Sequence, residues 1–313
     1  MNRRKFNKDI LKGVAAYGVA TPLFLSCNKG VVNQFGKERF KISLAQWSLH
    51  RTIRSGKIDH LDFAEKAKFL GFDAIEYVNQ FFDDKVKDKS YLKEMNLRAN
   101  DNGVKQLLIM VDIPGKISDL DPNARQKAVE DHFQWVDAAH QLGCHSIRVN
   151  LYGNEDREQV ANASIDGMSA LCEYASQANI NIIVENHGHF SSDGSWLANV
   201  MTRVNKTNCG TLPDFGNFCV HREGGELWGG ACVEEYDKYK GVEELMPFAK
   251  GVSAKSFEFD SNGNETTIDF KRMMDIIKAS KFSGYIGIEY EGESKDEDKG
   301  IVMTRQLLER LIA

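Results

Sequence analysis

The sequence predicts an α/β protein, a single-domain (β/α)8 TIM barrel, on three observations. Eight short runs rich in strand-forming residues alternate with amphipathic helical stretches, each run following the last by roughly 30 to 45 residues. The run Ile180-Asn-Ile-Ile-Val184 lacks the polar alternation of a half-exposed strand and suits one buried on both faces, as in a parallel sheet. The third observation is charge at strand ends. The run from Ile180 ends in Glu185, Asn186 and His187, Cys209–Pro213 ends in Asp214, Gly251–Ala254 in Lys255 and Tyr285–Ile288 in Glu289. Charged groups at the tips of successive buried strands are the layout of a barrel, whose sites form at the C-terminal face. A doubly wound sheet would predict fewer units and a Gly-rich phosphate turn after the first strand. Here the first strand runs into Trp47-Ser-Leu-His50-Arg51.

Taken in order, Lys41–Trp47 reads as strand one. Asp59–Leu70 follows as a helix with Leu61, Ala64, Ala67 and Phe69–Leu70 on one face, closed by Gly71. Phe72–Val78 is strand two, and Lys89–Asn102 is helical with Gly103 as C-cap. Val104–Val111 is strand three, and Asn123–Leu142 is a long helix stopped by Gly143. His145–Asn150 is strand four, Glu155–Ala178 a helix, and Ile180 begins strand five. Asp193 caps a helix through Lys206, ahead of strand six at Cys209–Pro213. The remaining units are a helix Glu234–Phe248, strand seven Gly251–Ser256, a helix Ile268–Ser280, strand eight Tyr285–Tyr290 and a helix Lys295–Ile312. No Pro-rich linker or low-complexity tract divides residues 40–313, so one barrel is expected there.

The N-terminus reads as an export signal over residues 1–27. Asn2-Arg-Arg-Lys-Phe-Asn-Lys8 is a basic segment resembling a twin-arginine signal, and Gly13–Ser26 is an apolar stretch too short for a membrane span. Leu25-Ser26-Cys27 resembles the end of a lipobox, which would make Cys27 a lipid anchor and the sole membrane attachment. Residues 28–39 form a polar tether. The 313-residue chain has a formal charge of -5, and because residues 1–26 carry +4, the remainder carries -9. So acidic a body disfavours nucleic acid as a partner. Cys144, Cys172, Cys209, Cys219 and Cys232 are odd in number and without CxxC spacing, so neither a disulfide framework nor a zinc knuckle is expected, and most of them read as small buried hydrophobes.

In ring order the strand tips carry Trp47 and His50, Glu76, Asp112, Arg148 and Asn150, Glu185 and His187, Asp214 and Asn217, Lys255, then Glu289 and Glu291. Glu185, Asp214 and Glu289 come from neighbouring strands and converge. Three carboxylates share a water-poor pocket only if a cation or protons compensate them. All-oxygen ligation suits a divalent Mn²⁺ or Mg²⁺ better than Zn²⁺. The alternative is a metal-free site in which Lys255 neutralises Glu185 or Glu289. Phe215–Glu234 is a Gly-rich loop far longer than the usual βα connection of about 2–6 residues, which marks it as functional or as a packed surface loop. His221, Arg222 and Trp228 are its candidate ligand contacts. With Trp47, His50, Glu76, Arg148, Asn150, His187 and Asn217, His221 completes the expected substrate-binding set.

Residues 40–313 resemble the xylose isomerase-like barrel superfamily, most specifically in IIVENHG, LPDFGNF, VSAKSFEFD and GYIGIEYEG. In its branch typified by D-tagatose 3-epimerase, glutamates on strands five and eight bind the metal and exchange the proton beside a carbonyl. The matching residues are Glu185 and Glu289, with Asp214 matching the strand-six ligand. The pattern departs at two positions: Ser253 stands where the superfamily usually has a strand-seven His, and Asn217 where a His often follows the strand-six Asp. Endonuclease IV depends on such histidines, so its activity is not expected. The resemblance implies an exported sugar isomerase or epimerase with Glu185 and Glu289 as acid and base and Lys255 assisting. Its substrate would be a free sugar or keto-sugar. A keto-glycoside lyase or dehydratase on the same site, and a non-catalytic carbohydrate-binding barrel, are the alternatives.

Overall fold

The computed structural model describes residues 39–313, and the expected export signal and all of the tether except Arg39 lie outside the described residues. Arg39 is held by the barrel, its Nε donating to the Phe282 carbonyl and its Nη1 to that of Lys278, both at 2.9 Å.

Ten strands are described: β1 (Phe40–Ala45), β2 (Ala74–Val78), β3 (Lys105–Met110), β4 (Ser146–Val149), β5 (Asn181–Glu185), β6 (Cys209–Leu212), β7 (Cys219–Arg222), β8 (Cys232–Glu235), β9 (Val252–Ser256) and β10 (Gly284–Tyr290). Eight of them form a parallel sheet in the order β6-β5-β4-β3-β2-β1-β10-β9. Bridges Thr211↔Ala249 and Asp214↔Ser253 join its two edges and close the barrel. The eight expected strands are these eight, with β9 and β10 as the seventh and eighth.

The helices are α1 (His50–Arg54), α2 (Phe63–Phe69), α3 (Lys89–Asp101), α4 (Pro122–Leu142), α5 (Arg157–Gln177), α6 (Gly194–Val204), α7 (Lys238–Leu245), α8 (Phe270–Ala279) and α9 (Glu297–Ile312). From α2 onward each connecting helix, or the 3-10 turn leading into it, starts behind an aspartate. Asp59, Asp88, Asp121, Asp156, Asp193, Asp237, Asp269 and Asp296 all accept a backbone N–H of the first turn. An N-capping carboxylate satisfies donors the helix leaves free and complements its dipole. None of these helices is long and apolar enough to cross a membrane.

Strand periodicity sorts the side chains. Outward residues such as Leu44, Ile147, Val184, Ala254 and Ile288 pack under the helices in the main core. Inward residues form a smaller core of Ala45, Val78, Leu108, Met110, Ile183 and Leu212. Above this plug, the next inward positions of β5 and β10 and the residue two beyond Leu212 are Glu185, Glu289 and Asp214.

The expected helix over 234–248 begins only at Lys238, because Glu234 and Glu235 belong to β8. Strands β7 and β8 form an antiparallel hairpin within the long loop after β6, closed by a disulfide between Cys219 and Cys232 with Cα atoms 5.8 Å apart. This corrects the expectation that the cysteines of the body form no disulfide. Their separation of 13 residues carries no signal until the hairpin brings them together. Cys144 and Cys172 are buried as expected, and Cys209 is half-buried.

Candidate functional site

The lumen side chains at the C-terminal end of the barrel build one continuous polar centre. Glu185 and Asp214 are fully buried and Glu289 is 4% exposed. One oxygen from each lies within 4.8 Å of the other two. Asp214 is fixed by its own turn: its Oδ1 accepts the Gly216 and Asn217 N–H groups, each at 2.8 Å. The Ser253 hydroxyl donates to Asp214 Oδ2 at 2.7 Å and lies 3.3 Å from Glu289 Oε2. Asn217 Nδ2 donates to Glu185 Oε1 at 3.0 Å. The strand-seven serine and the post-strand-six asparagine thus both hold the acidic cluster, at the two positions where the resemblance led one to expect histidine.

Two cations flank the cluster. Arg148, 3% exposed on β4, places Nη1 2.5 Å from Asp112 Oδ1 and Nε 2.9 Å from Glu185 Oε2. Asn150 and Gln80 complete the Asp112 side, donating to its two oxygens at 3.2 and 2.8 Å. On the other flank Lys255 Nζ sits 3.0 Å from Glu289 and 3.1 Å from Glu291. Asp112 and Glu291, which the sequence places at strand tips, are therefore counter-ions of the two buried cations. Neither pairing has a sequence signature, because each partner lies on a different strand.

Five carboxylates face two cations, and the electrostatics reflect the surplus. Burial pushes the Glu289 carboxyl up to about 7 against the pull of Lys255. Burial also raises Glu185 well above the usual carboxylate range, and raises Asp214. Burial opposes the charge on Lys255, but Glu289, Glu291, Asp214 and Glu185 outweigh it and hold the ammonium firmly protonated. Burial, followed by the nearby Arg148 charge, keeps His187 neutral.

The donor set fits a divalent cation. Hard cations bind oxygen at about 2.0–2.6 Å, so ligands facing each other across one ion stand about 4–5 Å apart. The three carboxylates match that spacing and carry the negative charge such an ion offsets. Glu185 Oε2 is buried with no aligned hydrogen-bond donor, since Arg148 Nε is near but not directed at it. A buried acceptor left in this state is unusual unless another group completes it.

Above the cluster opens a cavity of about 710 Å³. Of the expected site residues, Trp47, His50, Arg148, His187, Asn217, Lys255 and Glu289 line it, while Glu185 and Asp214 are buried behind this lining, each with an oxygen within 4.8 Å of one of Glu289. Trp47 stacks on His50 with ring centroids 4.8 Å apart on one wall. Tyr152, which the sequence did not single out, meets His187 Nδ1 at 3.1 Å on another. Asn150 stands behind the wall against Arg148 and Asp112. His221 points to Glu234 of the hairpin at 2.6 Å and does not line the cavity.

Glu76 also does not line the cavity. It is buried one layer below, taking the Ser43 hydroxyl at 2.6 Å, with its second oxygen unpartnered against Gly287, where a Cβ would meet that oxygen at 2.6 Å. Burial raises this carboxyl from 4.5 to about 7. Between those values the folded protein holds a proton that the unfolded chain has released, so this group's contribution to stability falls as pH rises through that window. The full swing is about 3 kcal/mol. Glu76→Gln is expected to match wild type in thermal unfolding near pH 5 and to exceed it at pH 8. Equal pH slopes in the two proteins would rule out a protonated Glu76.

The sequence profile of the family described as xylose isomerase-like TIM barrel matches residues 64–311. No curated protein is significantly similar to this chain in sequence. Among solved structures, the chain is similar to apo 3-keto-D-glucoside 4-epimerase YcjR from E. coli, with a TM-score of 0.64 and 12% identity over 88% of this chain and 100% of that one. It is similar to D-psicose 3-epimerase with D-tagatose from Clostridium cellulolyticum H10, with a TM-score of 0.66 and 11% identity over 87% and 99%. It is also similar to the IOLI protein with a bound zinc atom, with a TM-score of 0.66 and 13% identity over 87% and 98%. At these identities the likeness is one of fold. With the profile spanning most of the barrel, the chain belongs to the xylose isomerase-like TIM barrel family.

Proposed function

We propose that this protein is an exported sugar isomerase or epimerase that moves a proton beside the carbonyl of a free sugar or keto-sugar. The observation that carries this reading is the buried triad Glu185, Asp214 and Glu289 under an open cavity. Glu289 lines the cavity from β10, and Glu185 lies just beneath it on β5, three strands away around the barrel. A carbon held between them can lose its proton to one carboxylate and regain it from the other. Burial that raises a carboxyl toward neutral pH suits both roles. Lys255, locked by Glu289 and Glu291, is a fixed positive donor at the same spot, and Asn217 and Arg148 hold Glu185 in orientation. Glu185, Asp214 and Glu289 would hold Mn²⁺ or Mg²⁺, which supplies positive charge to the oxygen that turns anionic as its neighbouring carbon is deprotonated.

Export is supported by the basic-then-apolar N-terminus, with Cys27 as its lipid attachment to the cell envelope, and by the Cys219–Cys232 disulfide, a bond that persists mainly in oxidising compartments. A second reading, elimination from a keto-glycoside on the same carboxylates, is favoured by the cavity volume, which suits a drug-sized ligand better than a single sugar ring.

The test combines elemental analysis of the purified protein with solvent-deuterium incorporation into a panel of keto-sugars and 3-keto-glycosides. Stoichiometric divalent metal and incorporation at the carbon beside the carbonyl are expected. A well-folded protein that takes up no metal on supplementation and exchanges no proton would overturn the reading in favour of a binding barrel.

A further inference from the structure

The outer wall of the cavity is not built on the barrel strands. It is the tip of the β7–β8 hairpin, which delivers Leu227 and Trp228 to the cavity lining. The Trp228 ring lies 4.5 Å from the His187 ring, centroid to centroid, and is 44% exposed. Leu227 is seated on Gly188, whose backbone has φ +99 and where a Cβ would meet Leu227 Cδ1 at 2.6 Å. Asn154 Nδ2 donates to the Gly225 carbonyl at 3.3 Å, a further tie between tip and barrel.

Strand β7 is anchored through Val220, which packs in the main core, and His221, which Phe190 meets edge-on, but β8 has no such anchor. All four residues of β8 are exposed, and the ladder to β7 is irregular, with register shifts on both sides of His221. The tip between the strands contains Gly224, Gly225, Gly229 and Gly230, all with positive φ, so its backbone has unusual freedom to lose on ordering. A two-stranded hairpin is marginal by itself in water. The cross-link that closes this one is Cys219–Cys232, and Cys232 is exposed, within reach of a soluble thiol.

We propose that Cys219 and Cys232 are positioning residues whose disulfide holds Trp228 over the cavity, where the indole is the platform for an apolar ring face of the bound sugar. The inference rests on the sugar-binding reading above. Reduction by a dithiol transfers two electrons and two protons to the pair, giving two thiols and the oxidised, cyclic form of the reductant. The tip then loses its constraint, and the platform is no longer preorganised.

The test follows hydrogen–deuterium exchange of the 223–231 amides and steady-state kinetics on whichever panel sugar exchanges its proton. Oxidised wild type, dithiothreitol-reduced wild type, a Cys219→Ser, Cys232→Ser double variant and Trp228→Ala are compared. Reduction and the double variant are expected to speed exchange in 223–231 and to raise KM about five- to tenfold with kcat little changed, the loss of one aromatic contact. Trp228→Ala should raise KM alike, Trp228→Phe should restore most of it, and reduction of Trp228→Ala should add nothing further. A merely structural disulfide would instead lower thermal stability with KM unmoved. Unaltered 223–231 exchange on reduction, or KM effects of reduction and Trp228→Ala that multiply, would overturn the inference. Absence of any proton exchange by oxidised wild type overturns the proposed reaction instead, and the amide exchange then decides the hairpin's part alone.

Discussion

Glu289→Gln is expected to abolish proton exchange with substrate, by about 10³-fold or more, while leaving the barrel folded. A positioned acid or base contributes about 10²–10⁴ in rate, and Glu289 would also supply one of three carboxylate oxygens to a bound divalent cation. Glutamine keeps the shape and, with its oxygen toward Lys255 in place of Oε1, keeps that acceptor, while its NH2 takes the place of Oε2 and can donate to the Ser253 hydroxyl, contacts of 3.0 and 3.3 Å in the wild type. It can neither take a proton from carbon nor carry charge. Stability should not follow activity downward, because the substitution removes a carboxyl that burial already drives up to about 7. Deuterium incorporation and a thermal melt on the same sample separate the two effects. Glu185→Gln should behave in the same way, because Glu185 is also buried, also raised by burial and held by Arg148 and Asn217. Full activity in either variant would remove the carboxylate pair from the chemistry, and an unfolded variant would show the cluster to be a structural element instead.

The sequence carried the barrel and the triad because both are written locally. A strand with no polar alternation followed by Glu185 announces its burial and its tip in one short stretch, and the same holds for Asp214 and Glu289. The pairings between strands were hidden. Nothing near Arg148 in the sequence points to Asp112, and nothing near Lys255 points to Glu291, because barrel closure sets those contacts. The depth of Glu76 was equally hidden. Its place in the strand Ala74–Val78 was clear, but that it lies beneath the cavity follows from the inward layer it shares with Ser43 and Gly287. The long Gly-rich loop was marked by its length, yet its disulfide was not, since an odd number of unevenly spaced cysteines carries no pairing information. His221 was named with that loop, and the hairpin turns it toward Glu234.

Arg148 gives the second large effect, and its direction separates a structural keystone from a simple ligand contact. It is 3% exposed and bridges Asp112 to Glu185 across two neighbouring strands. Arg148→Met fills much of the same space but leaves both buried carboxyls without their cation. Removing one partner of a buried pair destabilises by about 3–5 kcal/mol, which for a barrel of this size lowers Tm by roughly 6–15 °C. Asp112 is held far below the usual carboxylate range, burial raising it and the charge and hydrogen bond of the Arg148 guanidinium pulling it down more strongly. A depressed folded-state value means this stabilisation is present above the unfolded carboxyl's range and is lost only in strong acid. The gap between wild type and Arg148→Met should therefore persist at neutral and mildly alkaline pH. Adding Asp112→Leu should recover much of the loss, since removing both members of a buried pair is far less damaging than stranding one. Recovery should stop short of wild type, because Glu185 remains unpaired on that side. A Tm unchanged by Arg148→Met would assign the guanidinium to substrate alone. A double variant no more stable than the single one would mean that the loss came from packing and not from stranded charge.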